Sequence, residues 1–245
     1  RSGVLELQKA LGLNQPPTLI EAYDISNISG THAVGSLVCS VEGVPQKNRY
    51  RLFRIKTVEG SDDPAMMAEV IRRRFDRAVR EQTPLPGLVL VDGGITQSRA
   101  AKAELEKLGL AHLPVAGLAK KFEEVYWEPS TGEHRASPII HLAENSPALK
   151  VLQQIRDEAH RFALTYHRRL RLQRIKESIL DEIEGVGGKR KQLLLRHFGS
   201  VARLQKANLE EIAAVPGIGP VLAKEIKARL GNPGTTEPKN QGVPT

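Results

Sequence analysis

The sequence predicts an α/β fold, a mixed sheet with flanking helices, followed by a small all-α unit. Three observations carry this. Apolar residues alternate through Tyr50, Leu52 and Ile55, then recur at spacings of three and four from Met67 to Val79, a switch from strand to helix period. The run Leu88-Val89-Leu90-Val91 is apolar at every position, as in a strand covered on both faces. Two Gly-rich turns, at Gly185 and Gly217, interrupt an otherwise helical C-terminal stretch.

Composition narrows the function classes. The 245 residues suit one large domain, or a large one with a small one, and 40% apolar residues suffice for a core. Aromatics at 4% argue against an aromatic base-stacking platform. The one cysteine, Cys39, excludes an intrachain disulfide framework and a Cys-based zinc site. No apolar run reaches the roughly 18–20 residues that span a bilayer, and no signal peptide is visible, so no membrane partner and a reducing, cytoplasmic setting are expected. The chain begins at Arg1 rather than Met and is expected to be a fragment. Its net charge of +8, from 36 basic and 28 acidic side chains, leans weakly toward a polyanion. Asp157-Glu158-Ala159-His160 spells a helicase-like string, but no G-x-x-x-x-G-K-[ST] loop accompanies it, so no nucleotide cofactor is expected.

In chain order, residues 1–17 carry a short helical pattern ending in Pro16-Pro17, read as an N-terminal linker or a helix packed on the strands after it. Strands are expected over 19–25, 32–41 and 50–57, punctuated by Gly30, Gly35, Gly43 and Pro45. A helix comes next, with Asp62 or Asp63 as its cap and Pro64 in its first turn. The apolar strand 88–91 leads into Asp92-Gly93-Gly94 and a helix through Leu108, then a strand over 115–119. Turn residues between 120 and 142 predict a hairpin. A long helix opens near Ser146-Pro147, with Leu149, Leu152, Ile155, Ala159, Phe162 and Ala163 on one face and a dense set of arginines. Residues 176–231 read as a separate helical unit, with 10 basic and 7 acidic residues for a net of +3. The last stretch, 232–245, is Pro/Gly/Thr/Asn-rich and is expected to be disordered.

Chemistry concentrates at strand ends. Asp24 and Asp92 each close a strand, and a carboxylate there is costly unless it is hydrogen-bonded, paired or bound to a metal. If the two strands are neighbours, their oxygens suit Mg²⁺ or Mn²⁺. Turn chemistry and capping account for the same residues equally simply, for Asp63 above all. His160 lies between the apolar and basic faces of the long helix; it reads as a metal ligand or acid/base group, or as an ordinary histidine held by a carboxylate. The Lys120-Lys121 pair reads as a solvated pair or a phosphate contact.

The strings Glu184-Gly185-Val186-Gly187 and Pro216-Gly217-Ile218-Gly219 are two copies of one turn, each opening a helix. Glycines let the backbone approach a ligand, and the exposed N–H groups of a helix start favour phosphate. With Lys189, Arg190 and Lys224 beside them, the pair could hold two backbone phosphates without reading any base.

Taken together, Tyr23-Asp24-Ile25-Ser26, Ser61-Asp62-Asp63, Val91-Asp92-Gly93-Gly94 with Gln97, and Arg156-Asp157-Glu158-Ala159-His160 resemble the ordered signatures of the UvrC family of the bacterial UvrABC excinuclease. The paired turns resemble that family's tandem helix-hairpin-helix domain. The resemblance implies a ribonuclease H-like endonuclease domain over 18–175 and a DNA-binding domain over 176–231. It implies a divalent-metal-dependent cut 5′ to a lesion in nucleotide excision repair. Asp24, Asp92 and His160 match the catalytic set, with Asp63 aligning better than Asp62 with a further functional carboxylate. Arg156 and Arg161 are expected near the DNA backbone; Gly185, Gly187, Lys189, Arg190, Gly217, Gly219 and Lys224 are expected at the hairpins. Implied partners are damaged double-stranded DNA and, in a full-length protein, the helicase subunit UvrB. Asn27 departs from the histidine common in relatives, and Ile95-Thr96 from a frequent Lys-Gly. The rivals are a non-catalytic, structure-specific DNA-binding module and a nuclease for RNA–DNA hybrids.

Overall fold

The computed structural model describes residues 2–27, 33–119, 124–128 and 139–231. The Lys120-Lys121 pair and the 232–245 tail lie outside them. The chain divides into two compact units, with the boundary between His167 and Arg168.

The first unit rests on one mixed sheet. Its strands are β1 (Leu19–Ser26), β2 (Val34–Val41), β3 (Val44–Pro45), β4 (Arg51–Arg54), β5 (Leu88–Asp92), β6 (Val115–Ala119), β7 (Glu124–Glu128) and β8 (Ile139–Ile140). They lie in the order β3-β2-β1-β5-β6-β7-β8, with β4 also paired to β2. The central strands β1, β5 and β6 run parallel; β2 and β7 run antiparallel to their inner neighbours. This is the ribonuclease H-like α/β fold expected. The antiparallel pairing of β7 with β8 agrees with the expected hairpin, and the two-residue β3 occupies what read as a turn.

The helices of this unit are α1 (Ser2–Leu11), α2 (Asp63–Glu81), α3 (Ile95–Lys107) and the first half of α4 (Pro147–Asp181). Alternation along the strands feeds two cores. Ile20, Ala22, Leu88 and Leu90 meet α1 and α4 on one face, while Tyr23, Val89 and Val91 meet α2 and α3 on the other. Leu7 and Leu11 of α1 are fully buried, each stabilising by about 1.5–3 kcal/mol, so residues 1–17 hold a helix of the domain rather than a linker.

Glu69 of α2 is buried against the β4–α2 connection. Burial would raise its pKa, but the Thr57 hydroxyl (2.7 Å), the Thr57 and Lys56 amides and Arg73 together hold it below the ordinary carboxylate value.

The second unit contains the rest of α4, then α5 (Gly188–Phe198), α6 (Val201–Lys206), α7 (Leu209–Ala213) and α8 (Pro220–Gly231). Leu180, Ile183, Leu194, Leu204, Ile212 and Ile226 centre its core. Ser200 caps α6 by accepting from the Arg203 amide at 3.2 Å. Asn208 and Glu211 cap α7 reciprocally, both bonds at 2.8 Å.

Candidate nuclease and DNA-binding sites

Parallel pairing of β1 with β5 builds the first site. Tyr23 lies level with Val91, and one residue further each strand reaches its aspartate, Asp24 and Asp92. On the other side of β1, Ser36 of β2 lies opposite Asp24. The Ser36 hydroxyl donates to the Ala159 carbonyl at 3.2 Å, pinning α4 one residue before His160. His160 thereby reaches Asp24, its Nδ1 standing 3.4 Å from Asp24 Oδ2.

One ligand atom from each of Asp24, Asp92 and His160 lies within 4.8 Å of the other two. The cis ligands of an octahedral ion at about 2.1 Å stand about 3 Å apart, so this donor set fits a divalent cation with modest closure. The Asp24 side chain is 9% exposed and that of His160 is 42% exposed, so the cluster is anchored inside and open outward. The Ser26 hydroxyl also reaches Asp24 Oδ2, at 3.3 Å.

The turn after Asp92 needs room beneath it. A Cβ on Gly117 of β6 would press on Ser98 Oγ and stand 2.7 Å from the Gly93 carbonyl oxygen. Above it, the Gly94 amide donates to Gln97 Oε1 at 3.2 Å and the Ser98 hydroxyl to the Gly94 carbonyl at 3.0 Å. Gln97 thus belongs to the turn that carries Asp92.

The other expected residues divide. Asp62, not Asp63, caps α2, accepting from the Ala65 amide at 3.0 Å. Asp63 is left to face Asn27 Nδ2 at 3.5 Å, just past the end of β1, and is not a member of the three-residue cluster. Arg156, expected near the DNA backbone, has a side chain that is 8% exposed, and its guanidinium meets Asp157 at 2.9 and 3.0 Å. The physical reason is helical phase, since Arg156 falls with Leu152, Ala159 and Ala163 on the buried side of α4. Arg161 is exposed but holds Glu158 through two bonds, at 2.6 and 2.7 Å. Glu158 also accepts from the Tyr50 hydroxyl at 2.9 Å. Arg161, then Tyr50, keeps the Glu158 carboxyl below its ordinary value, while burial and Glu158 push the Tyr50 phenol up.

The second site is made of backbone. Gly185 and Gly217 have φ of +89° and +82°, a region that favours glycine. Matching bonds close the two turns: Val186 N to Ile183 O at 2.9 Å, and Ile218 N to Val215 O at 3.0 Å. The next helix starts alike in both, Lys191 N to Gly187 O at 3.0 Å and Ala223 N to Gly219 O at 2.9 Å. A Cβ on Gly187 or Gly219 would meet nothing within 4 Å, so both tips face open space. Lys189 and Lys224 are exposed.

Arg190 does more than line this surface. Its Nη1 donates to the Gly185 carbonyl at 2.6 Å, and its Nε lies 3.9 Å from where a Gly217 Cβ would be, so it is bonded to the first turn and packed beside the second. Ser36, Gly117 and this role of Arg190 are the features that sequence reasoning missed. Their only signals were a serine inside an apolar strand, a glycine inside another, and an arginine two residues into a helix.

Fold and sites together define a ribonuclease H-like domain joined to paired helix-hairpin-helix motifs. Family comparison agrees: residues 8–164 match the UvrC RNase H endonuclease domain, and residues 177–232 match the SAM-like helix-hairpin-helix tandem. The chain belongs to the UvrC RNase H endonuclease-domain family. It is 53% identical over 230 residues to UvrABC system protein C of Dehalococcoides mccartyi, covering 92% of this chain and 37% of that protein. It is 48% identical over 235 residues to UvrABC system protein C of Moorella thermoacetica, covering 94% of this chain and 37% of that one. The chain therefore spans little more than a third of these relatives' length. Among solved structures, Ciona intestinalis endonuclease V aligns over 49% of this chain and 56% of its own at a TM-score of 0.34 and 13% identity, which bears on no function.

Proposed function

We propose that this chain is a divalent-metal-dependent DNA endonuclease that makes the 5′ incision at lesions in bacterial nucleotide excision repair, acting in the cytoplasm as part of a longer protein that works with UvrB. The observation that carries this reading is the convergence of Asp24, Asp92 and His160 at the ends of two parallel strands and one helix turn. Membership of the UvrC endonuclease-domain family supports the reaction class.

Asp24 and Asp92 would hold Mg²⁺ or Mn²⁺, with His160 completing the shell or moving a proton. Such an ion supplies charge neutralisation at the scissile phosphate and a water of lowered pKa. The residues do the remainder. Asp24, set deep by β1, fixes one side of the centre. Asp92, on the Gly93-Gly94 turn, fixes the other. His160, nearly half exposed and beside Asp24, would take or give a proton at the reacting oxygens. Asp63 stands beside Asn27 as a carboxylate next to the centre. The open tips at Gly187 and Gly219, with Lys189 and Lys224, would grip the backbone without base preference.

The test is nicking by the full chain of a lesion duplex already cut 3′ to the lesion, in Mg²⁺ or Mn²⁺. Asp24→Asn and Asp92→Asn should abolish a cut that leaves 3′-hydroxyl and 5′-phosphate ends, while DNA affinity persists. Nicking unchanged in both variants would leave a non-catalytic DNA-binding module; equal cutting of RNA–DNA hybrids would point to a general hybrid nuclease.

A further inference from the structure

A second basic feature lies on the opposite face of the sheet. Five arginines, Arg49, Arg51, Arg73, Arg74 and Arg77, line a half-open recess of about 420 Å³ between α2 and the β4 edge. Its other lining includes Leu37, Leu52 and Phe53, so the recess combines guanidinium groups with apolar surface. Two carboxylates line it, Glu21 and Glu81, leaving a net of three positive charges, five minus two. Both are engaged. Glu21 accepts from Arg74 at 2.7 Å and from the Tyr23 hydroxyl at 2.6 Å, and Glu81 accepts from Arg77 at 2.8 Å.

Of the remaining three, Arg73 is also paired, to Glu69 at 3.2 Å, which leaves the excess positive charge on Arg49 and Arg51. Arg51 gives its guanidinium to two backbone carbonyls, Asn48 at 2.9 Å and Tyr50 at 2.7 Å. Arg49 makes no side-chain hydrogen bond or ion pair among the described residues. Arg73 shares Glu69 and stacks 5.4 Å from the Phe53 ring centroid. Gathering like charges costs stability unless an anion answers them, and planar guanidinium forks match phosphate oxygens. A recess of this size accepts a group of small-ligand dimensions.

We propose that this recess binds a phosphate group of a nucleic-acid strand, at a place distinct from the Asp24–Asp92–His160 centre. The choice of ligand rests on the DNA-directed reading above; the site itself does not. Glu21 and Asp24 are three residues apart on β1, so they project to opposite faces about 10 Å apart along the strand. Glu21 meets α2 and Asp24 meets α4. The recess therefore holds DNA flanking the cut, or a displaced strand, and not the scissile phosphate.

The experiment measures binding of the full chain to fluorescein-labelled 20-mer single strands and duplexes by anisotropy, across a salt series in EDTA so that cutting does not intrude. Arg49→Ala with Arg77→Ala removes two charges from the recess. Arg80→Ala with Lys107→Ala removes two exposed charges elsewhere on the unit. Loss of that phosphate contact should flatten the slope of log K against log salt by about 0.7–0.9 on the DNA form that enters the recess. The control pair should leave the slope alone, and Arg49→Lys with Arg77→Lys should restore most of it. In the wild type, inorganic phosphate should raise the melting temperature more than in the Arg49/Arg77 alanine pair.

Equal slopes for wild type and the recess pair on both DNA forms would overturn the proposal, as would an equal drop in the control pair. So would unchanged DNA slopes with recess-dependent binding of dAMP, which means a free nucleotide site, or of polyglutamate, which means an acidic-protein dock. None of these variants touches Asp24 or Asp92, so nicking separates failure here from failure of the nuclease reading.

Discussion

The two units solve different problems with different parts of the chain. In the first, three side chains from distant positions, Asp24, Asp92 and His160, are brought within 4.8 Å by strand register and one serine hydroxyl. In the second, the proposed site is backbone, shaped by positive-φ glycines at Gly185 and Gly217 and left uncovered at Gly187 and Gly219. A side-chain centre is sensitive to single ligand atoms and to the packing that positions them. A backbone site is sensitive to a Cβ where φ is positive and to negative charge placed at its open tips. The comparison can be broken or sharpened by substitutions that change one kind of site at a time.

The largest effect is expected from Asp92→Asn. The exchange keeps shape and removes charge, and loss of a metal's several kcal/mol of transition-state stabilisation lowers nicking by roughly 10³-fold, read in single-turnover assays. Next comes Gly117→Ala, which changes no ligand but pushes a methyl against Ser98 Oγ and the Gly93 carbonyl. It should cost about 1–3 kcal/mol in denaturant unfolding and reduce nicking by displacing Asp92. Gly217→Ala should cost about 1–2 kcal/mol in the second unit, from its φ of +82°, and weaken DNA binding with no change in the metal site. Ser36→Ala removes one bond to α4, worth about 1 kcal/mol, and should lower nicking through His160 while hairpin binding is kept.

The smallest effect concerns acid. Glu69 has a lowered pKa in the folded state, so its contribution is present above the unfolded carboxylate pKa and is lost as pH falls through the folded value. Glu158 behaves in the same sense. Both lie in the first unit, so that unit should lose stability as pH falls below the ordinary carboxylate value of about 4.3. Glu69→Gln should flatten that dependence, as followed by far-UV circular dichroism.

Much of this was legible in the sequence because apolar periodicity reports burial directly. The run at Leu88 to Val91 read as a strand covered on both sides, and the repeated Gly-x-Gly turns read as a duplicated unit. The aspartates at strand ends were visible too. Their adjacency was not, because it depends on the long-range pairing of β1 with β5. The cap of α2 turned on a single residue, and only the Ala65 amide bond to Asp62 separates it from Asp63. The burial of Arg156 was legible in its spacing from Ala159 and Ala163, which puts it with the buried stripe. For α1 the sequence left a linker and a packed helix both open, because a ten-residue helix before two prolines carries no local sign that Leu7 and Leu11 enter the sheet's core.

The division of labour between the units is tested most directly by one crossed measurement: single-turnover nicking as a function of protein concentration for Asp92→Asn and for Gly187→Asp with Gly219→Asp. The hairpin variant should need more protein to saturate the DNA and then cut at close to the wild-type rate. Asp92→Asn should saturate at the wild-type concentration and cut at no more than about a thousandth of that rate, on the order expected for a lost metal ligand. A hairpin variant that stays slow at saturation, or an Asp92→Asn protein that recovers with concentration, would contradict it.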